Sequence, residues 1–263
     1  MTVIEGIILG ILQGIAEFLP ISSSGHLLLL QRVFGIEDNL FSFSIVVHVG
    51  SLIPVLVIYF SRIKSILFKP FQKITWLLIL GTLPAVFVAL FLEDLIDTLF
   101  TGDFIAVGFI ITAIVMFLVD KAETGEKTED DISIKDALII GTAQALAIVP
   151  GISRSGSTIF GGITRGLNRK SAANFSFLLS IPAIAGATVL ELFNHISSDY
   201  VAGDFFLTAP VIAGFFASMI AGFFAIKIML KLIVAAKMKY FSYYLLVIAA
   251  LIIFDQFFTN IVF

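Results

Sequence analysis

The 263-residue chain contains no cysteine, so disulfides, thiolate metal sites and a cysteine nucleophile are excluded at the outset. Charge is also scarce. Lys, Arg, Asp and Glu make up 13% of the residues, about half the share usual in a soluble globular chain, while 59% are hydrophobic. So few charges cannot cover a water-facing surface, and a mean hydropathy of +1.09 points to lipid as the solvent. The net charge of −3 carries no message about partners, whereas its distribution does; no nucleic-acid partner is expected. The N-terminus lacks the basic flank and cleavage site of a signal peptide. It opens instead on an apolar stretch interrupted by Glu5, Gln13 and Glu17, which is unusual for a lipid-facing helix.

What is present in quantity is apolar runs. Residues 74–92, 205–226 and 240–254 approach or reach the ~20 residues that cross hydrocarbon. Six crossings are predicted, over 41–60, 74–92, 104–119, 171–192, 205–226 and 241–262. Basic residues collect in the loop at 61–73, in the loop at 120–135, and before the fourth and sixth crossings. These four places hold 14 of the 16 Lys and Arg, and the loops at 93–103 and 194–204 hold none. Cytoplasmic loops are the basic ones, so both termini are predicted outside a plasma membrane.

Two apolar segments, 2–30 and 133–164, do not fit as crossings. Each is broken midway by Pro, Gly and Ser, and a full crossing by either would upset the charge alternation downstream. Each is therefore predicted to enter, turn and leave on the same side, the first from outside and the second from the cytoplasm. Irregular backbone at that depth survives only where protein or a water-filled cavity satisfies it. The segment from Gly10 to Gly25 aligns without gaps on that from Gly141 to Gly156, with Pro20 facing Gly151 and Leu19 facing Pro150. Three crossings follow each, so the second copy is inverted, a plan that places binding sites where interrupted helices meet. The predicted fold is an all-α integral membrane protein with six transmembrane helices, two re-entrant helical hairpins and an inverted-topology repeat. One membrane domain over 1–263 comprises repeats 1–120 and 133–263, joined by a short polar cytoplasmic loop read as solvated linker.

The breaks carry the chemistry. Gln13 and Glu17 are four apart and share a helical face. Ser22, Ser23, Ser24 and His26 lie in or beside the turn marked by Pro20 and Gly25. Such groups are expensive in hydrocarbon and functional by default. Glu17 suits a hard divalent cation, Mg²⁺ or Ca²⁺. His26 is a candidate nucleophile or general acid/base, and a serine activated by His26 is the other candidate for attack. The second break, Pro150 to Thr158, carries Arg154, whose planar guanidinium suits bidentate phosphate binding. Ser153, Ser155 and Gly156 beside it, with Gln13, Ser22 and Ser24 from the first break, are the predicted substrate-binding residues. Backbone N–H groups at the start of the following helix add to an anion site.

The stretches EFLPISSSGH and PGISRSGST resemble the two signature motifs of the undecaprenyl-diphosphatase family associated with bacitracin resistance. The resemblance extends over essentially the whole chain. It implies hydrolysis of undecaprenyl diphosphate to the monophosphate on the outer face, recycling a carrier lipid for cell-wall synthesis. It also implies Glu17, Ser23, His26 and Arg154 as catalytic residues, with Gln13 as the first member of the family's (E/Q)-x-x-x-E pair. Because that member is Gln here, Glu17 supplies most of the charge for any metal. A transporter or lipid flippase is the alternative that an inverted repeat suits equally; the Ser-Ser-Ser-Gly-His cluster favours an enzyme. A phosphatidic-acid-type phosphatase would need a later His and Asp at a spacing this chain lacks.

Other polar residues have plainer readings. His48 is either a packed histidine or a neighbour of the site, and Gln144, the counterpart of Gln13, is structural. Glu191, His195 and Asp255 are interfacial. Gly214, Ser218 and Gly222, at spacing four, read as close helix packing or as the contact of a homodimer.

Overall fold

A computed structural model describes residues 1–36, 40–92, 98, 102, 104–197 and 207–262, with side chains described for all of these except 40–42 and 194–197. Apart from one isolated parallel bridge between Lys127 and Leu167, the regular structure among the described residues is helical. The chain runs α1 Val3–Phe18, α2 Ser23–Val33, α3 Leu40–Ile58, α4 Phe60–Phe68, α5 Lys73–Phe91, α6 Ile105–Lys121, α7 Ile134–Leu146, α8 Arg154–Thr164, α9 Arg169–Ser197, α10 Ala209–Val234 and α11 Lys239–Phe254. Short 3₁₀ and π turns lie at Glu129–Asp131 and Asp255–Thr259.

Both apolar segments that did not fit as crossings are helix pairs. Thr2 and Glu5 cap α1 reciprocally, and the helix ends at Leu19, which Pro20 forces into extended backbone (φ −74°, ψ 145°). Ser133 and Asp136 cap α7 in the same way, and it stops short of Pro150.

Among the described residues, four helical stretches are long and apolar enough to cross a membrane: Lys73–Phe91, Arg169–Phe193, Ala209–Val234 and Lys239–Thr259. A fifth arises if α3 and α4 count as one span, although they bend by 84°. α6, with 17 residues, is about 25 Å long at 1.5 Å per residue, close to the hydrocarbon thickness of ~30 Å. Large apolar side chains such as Trp76, Phe87, Val107, Ile114, Phe216 and Phe224 are exposed along these helices. Such a surface on helices of this length and composition suits lipid.

Two expectations are corrected. The residues from 61 to 73 were expected to be loop, but α4 folds back there. Phe60, Leu67 and Phe68 are exposed on a short helix that also carries Arg62 and Lys64. That composition suits a helix lying in the interface rather than a water-filled loop. The linker after α6 is likewise not simply solvated. The Lys127 backbone donates to Gly166 O at 3.1 Å and accepts from Asn168 N at 3.0 Å. Glu129 accepts from Asn174 at 2.8 Å, and Lys73 donates to the Asp130 carbonyl at 2.6 Å. Hydrogen bonds from Thr128 hold the Asp131 carboxyl below its usual range. Asp136, fully buried at the start of α7, accepts from Arg165 at 2.7 Å and Lys127 at 3.2 Å. Lys127, Glu129 and Asp130 are thus matched to neighbours across the fold, a pattern invisible to composition alone.

The helices pair in a reciprocal way. α1 packs on α10, and α7 packs on α5. A Cβ on Gly10 would collide with the backbone of Gly214, and one on Gly141 with the backbone of Gly81. Ser218, which donates to the Val47 carbonyl at 2.8 Å, and Gly222 continue the α10 stripe against α3 and α1. The Gly214–Ser218–Gly222 stripe is therefore consumed inside the chain and gives no reason for a homodimer. Phe18, Phe109, Phe175 and Phe177 are buried around the junction of the two helix pairs. His195 and most of the loops at 93–103 and 194–204 lie outside the described side chains.

Candidate active site

The two breaks build matching helix N-termini. Ser22 caps α2 by accepting from Gly25 N at 3.3 Å, and its Oγ lies 3.4 Å from Ser24 Oγ. Ser153 caps α8 by accepting from Gly156 N at 3.1 Å, with Ser155 Oγ 3.2 Å away. Ser and Thr are favoured at this position because they satisfy N–H groups the helix leaves free. The breaks also touch. Ser155 donates to the Leu19 carbonyl at 3.4 Å, and Gly25 comes so close to Gly151 that an added Cβ would meet its Cα at 3.0 Å. Two helix N-termini thus converge where the two breaks touch, an arrangement suited to anions. Their turns differ in one respect. Gly151 takes a positive φ of 88°, which glycine tolerates, whereas in the first break the positive φ (69°) falls on Ser22. A non-glycine residue held there costs on the order of 1–3 kcal/mol and persists only under constraint.

Glu17 is the hub. It accepts from Gln13 Nε2 at 3.1 Å and from Ser23 Oγ at 2.7 Å, both on Oε2. Arg154 Nη2 bonds its other oxygen at 2.5 Å, joining the last turn of α1 to the first residue of α8. Glu17 is 7% exposed and Arg154 15%, so the pair is largely withdrawn from solvent. Arg154 Nη1 also donates to the Ser176 carbonyl at 3.4 Å, and Ser176 Oγ is 2.6 Å from Thr158 Oγ1. Thr112 supports the second turn by donating to Gly151 O at 2.8 Å and accepting from Ser153 N at 2.9 Å. A cation at a helix N-terminus opposes the helix dipole, a cost that the paired Glu17 carboxylate offsets.

The oxygen donors fit a hard cation only in part. Among the described residues no group of three His, Cys, Asp or Glu is placed to hold a metal. Beside Glu17, however, Gln13 Oε1 is buried with no hydrogen-bond partner. One carboxylate and one free amide oxygen suit Mg²⁺ or Ca²⁺ if phosphate oxygens and water complete the shell.

The predicted residues are not all in one place. Gln13, Glu17, Ser23 and Arg154 come together, and Ser22, Ser24, Ser153, Ser155 and Gly156 form the turns around them. Gly156 contributes space, since a Cβ there would press on Met116 and Pro20. His26 directs its ring bonds elsewhere. Its Nδ1 is 2.9 Å from the Ser22 carbonyl and its Nε2 2.8 Å from Tyr244 OH. Among the described side chains, the histidine nearest the carboxylate is His48, with Nε2 4.0 Å from Glu17 Oε2 and Nδ1 bonded to the Ser44 carbonyl at 2.8 Å. The two sequence readings for His48 are compatible: it is hydrogen-bonded within its own helix and also lies beside Glu17. Gln144 is buried and both its amide atoms lack partners. Tyr244, Thr112 and Ser176 were not read as site residues from the sequence. Tyr244 sits in a Tyr-rich start to the last helix that reads as an interfacial belt, and only the fold brings it to His26. An apolar groove of 710 Å³ between α1 and α10, lined by Ile7, Ile11, Ile15 and Phe224, holds none of these polar groups.

Known proteins with related sequences carry names consistent with this chemistry. The family model described as "Bacitracin resistance protein BacA" matches residues 6–251. A protein of Carboxydothermus hydrogenoformans named undecaprenyl-diphosphatase is 43% identical over 257 residues, covering 97% of this chain and 98% of the relative. A protein of the same name from Methanosphaera stadtmanae is 37% identical over 276 residues (96% and 98%). Undecaprenyl-diphosphatase 3 of Bacillus cereus is 38% identical over 258 residues (98% and 98%). With both breaks, the Glu17–Arg154 pair and the apolar helices all inside the matched stretch, this multi-pass membrane protein belongs to the bacitracin resistance protein BacA family.

Proposed function

We propose that the protein hydrolyses undecaprenyl diphosphate to undecaprenyl monophosphate and inorganic phosphate. The observation that carries this reading is the buried Glu17–Arg154 pair with the Ser23 hydroxyl hydrogen-bonded to the same carboxylate. Names of relatives that align over nearly the whole chain support it.

In the proposed reaction Arg154 turns its guanidinium from Glu17 to the terminal phosphoryl oxygens, helped by backbone N–H groups at the starts of α2 and α8. Ser23 Oγ attacks that phosphorus while its proton passes to Glu17. The new Oγ–P bond replaces the anhydride P–O bond, and the lipid monophosphate departs with the proton from Glu17. Water then attacks the phosphorus as its proton passes to Glu17; the Oγ–P bond breaks, Glu17 returns that proton to Ser23 Oγ, and phosphate is released. Ser23 is favoured over His26 as nucleophile because both His26 ring nitrogens are engaged away from the pair. When bound, a divalent cation would neutralise diphosphate charge, held by Glu17 and the free Gln13 carbonyl. Phosphoryl transfer asks mainly for such positioning and charge stabilisation.

The proposed arrangement in the membrane has six crossings, α3, α5, α6, α9, α10 and α11. The pair α1–α2 re-enters from outside and α7–α8 from the cytoplasm. Exchange of the repeats 1–120 and 133–263 turns the Gly10–Gly214 contact into the Gly141–Gly81 contact, which supports an inverted repeat. The basic residues of the alternate loops support both termini and the site facing outside. The test is phosphate release by purified protein from farnesyl and undecaprenyl diphosphates, with and without EDTA. One phosphate per lipid, lost on chelation, is expected; no release from either lipid would contradict the assignment.

A further inference from the structure

His26 holds a strained turn and is itself held from the far end of the chain. Its Nδ1 lies 2.9 Å from the Ser22 carbonyl, which can only accept, so Nδ1 carries the proton. The neutral ring then presents Nε2 as an acceptor, and Tyr244 OH, 2.8 Å away, donates to it. His26 is 4% exposed, its ring stacked on Tyr244 at 5.6 Å and tilted against Phe109 at 4.8 Å. The backbone N–H of His26 bonds the same Ser22 carbonyl at 3.3 Å. Two donors from one residue therefore pin the carbonyl of the one residue in either break that is neither glycine nor in an ordinary conformation (φ 69°, ψ 103°).

That peptide leads directly into Ser23, whose Oγ is 2.7 Å from Glu17. If the Ser22 carbonyl swings, the start of α2 and the aim of the Ser23 hydroxyl swing with it. The second break needs no such clamp on a strained side-chain residue, because Gly151 takes the positive φ there and Thr112 ties its carbonyl to Ser153.

We propose that Tyr244 is a positioning residue for Ser23: by donating to His26 Nε2 it fixes the imidazole as the Nδ1–H tautomer, and that N–H locks the Ser22 turn. The kinetic part of this inference rests on the proposed hydrolysis; the tautomer part does not.

The full-length protein is labelled with ¹⁵N-histidine and examined at alkaline pH, His26 being identified by the signal lost in His26→Asn. The wild-type signal is expected to show a protonated Nδ1 and a hydrogen-bonded Nε2. In Tyr244→Phe, Nε2 is expected to move to the position of a free acceptor. With undecaprenyl diphosphate, Tyr244→Phe is expected to lose about tenfold in kcat, equivalent to about 1.4 kcal/mol, with KM within about twofold. In a Ser22→Gly background, where positive φ carries no side-chain penalty, the same change is expected to cost less than about threefold. Unchanged imidazole signals, wild-type kcat in Tyr244→Phe, or equal losses in both backgrounds would each overturn the proposal. If the wild type releases no phosphate, the hydrolytic assignment fails while the imidazole signals still decide the Tyr244–His26–Ser22 clamp.

Discussion

Arg154→Lys separates geometry from charge. Arg154 occupies the first position of α8, with Nη2 on Glu17 and Nη1 3.4 Å from the Ser176 carbonyl. A guanidinium placed this way can release Glu17 and still offer two parallel N–H groups to a phosphoryl group; an ammonium offers a compact point charge without the fork. Losing one charge-assisted hydrogen bond is worth about 1.5–3 kcal/mol, or about 10- to 150-fold in rate. The loss should fall on kcat if the second bond forms only in the transition state, and on KM if it also holds the ground state. Thermal stability should change little, because the buried carboxylate keeps a cation. Arg154→Ala differs in kind: it strands a carboxylate that is 7% exposed, and removing one partner of a buried pair costs about 3–5 kcal/mol of stability. Phosphate-release kinetics and melting curves on both variants distinguish the effects. A kcat/KM for Arg154→Lys close to wild type would refute the bidentate role.

Three further outcomes are expected. Glu17→Gln should fold and insert yet lose activity together with its response to Mg²⁺ or Ca²⁺; a wild-type metal titration in that variant would place the ligand elsewhere. Asp136→Ala removes a helix cap and the acceptor of Arg165 and Lys127, so it should lower stability by about 1–3 kcal/mol. Its activity per folded molecule should stay near normal, as measured by melting curves beside phosphate-release rates. A cysteine at Gly35 should react with an impermeant thiol reagent in intact cells, and one at Thr128 only after the membrane is opened; the reverse pattern would put the site on the cytoplasmic face. No native cysteine obscures that experiment.

Much of the site was legible because polar residues in an apolar chain are conspicuous. Pro20, Gly151 and the serine clusters marked both breaks, and the structure puts caps and turns there. Glu17 and Arg154 stood out as charges with nowhere to hide, and they meet. The spacing-four stripe on α10 announced close packing but could not name its partner, since α1 carries a matching stripe just as a second molecule would. Three features were hidden for physical reasons. The helix α4 follows an apolar span directly, and the bend at Tyr59 leaves no Pro or Gly in the sequence. The charges of the linker look solvated until Asn174, Lys73 and Arg62 are brought to them. Tyr244 is 218 positions from His26, and no local periodicity connects them.

The most direct test compares wild type and Ser23→Ala, purified in parallel, for the initial rate of phosphate release from undecaprenyl diphosphate. Removing a nucleophile typically costs roughly 10³-fold or more, and Ser23→Ala also leaves the Glu17–Arg154 pair in place. The account expects the wild type to leave lipid monophosphate with one phosphate released, and the variant to fall by at least that factor with an unchanged melting temperature. Phosphate release by Ser23→Ala at the wild-type rate would contradict it.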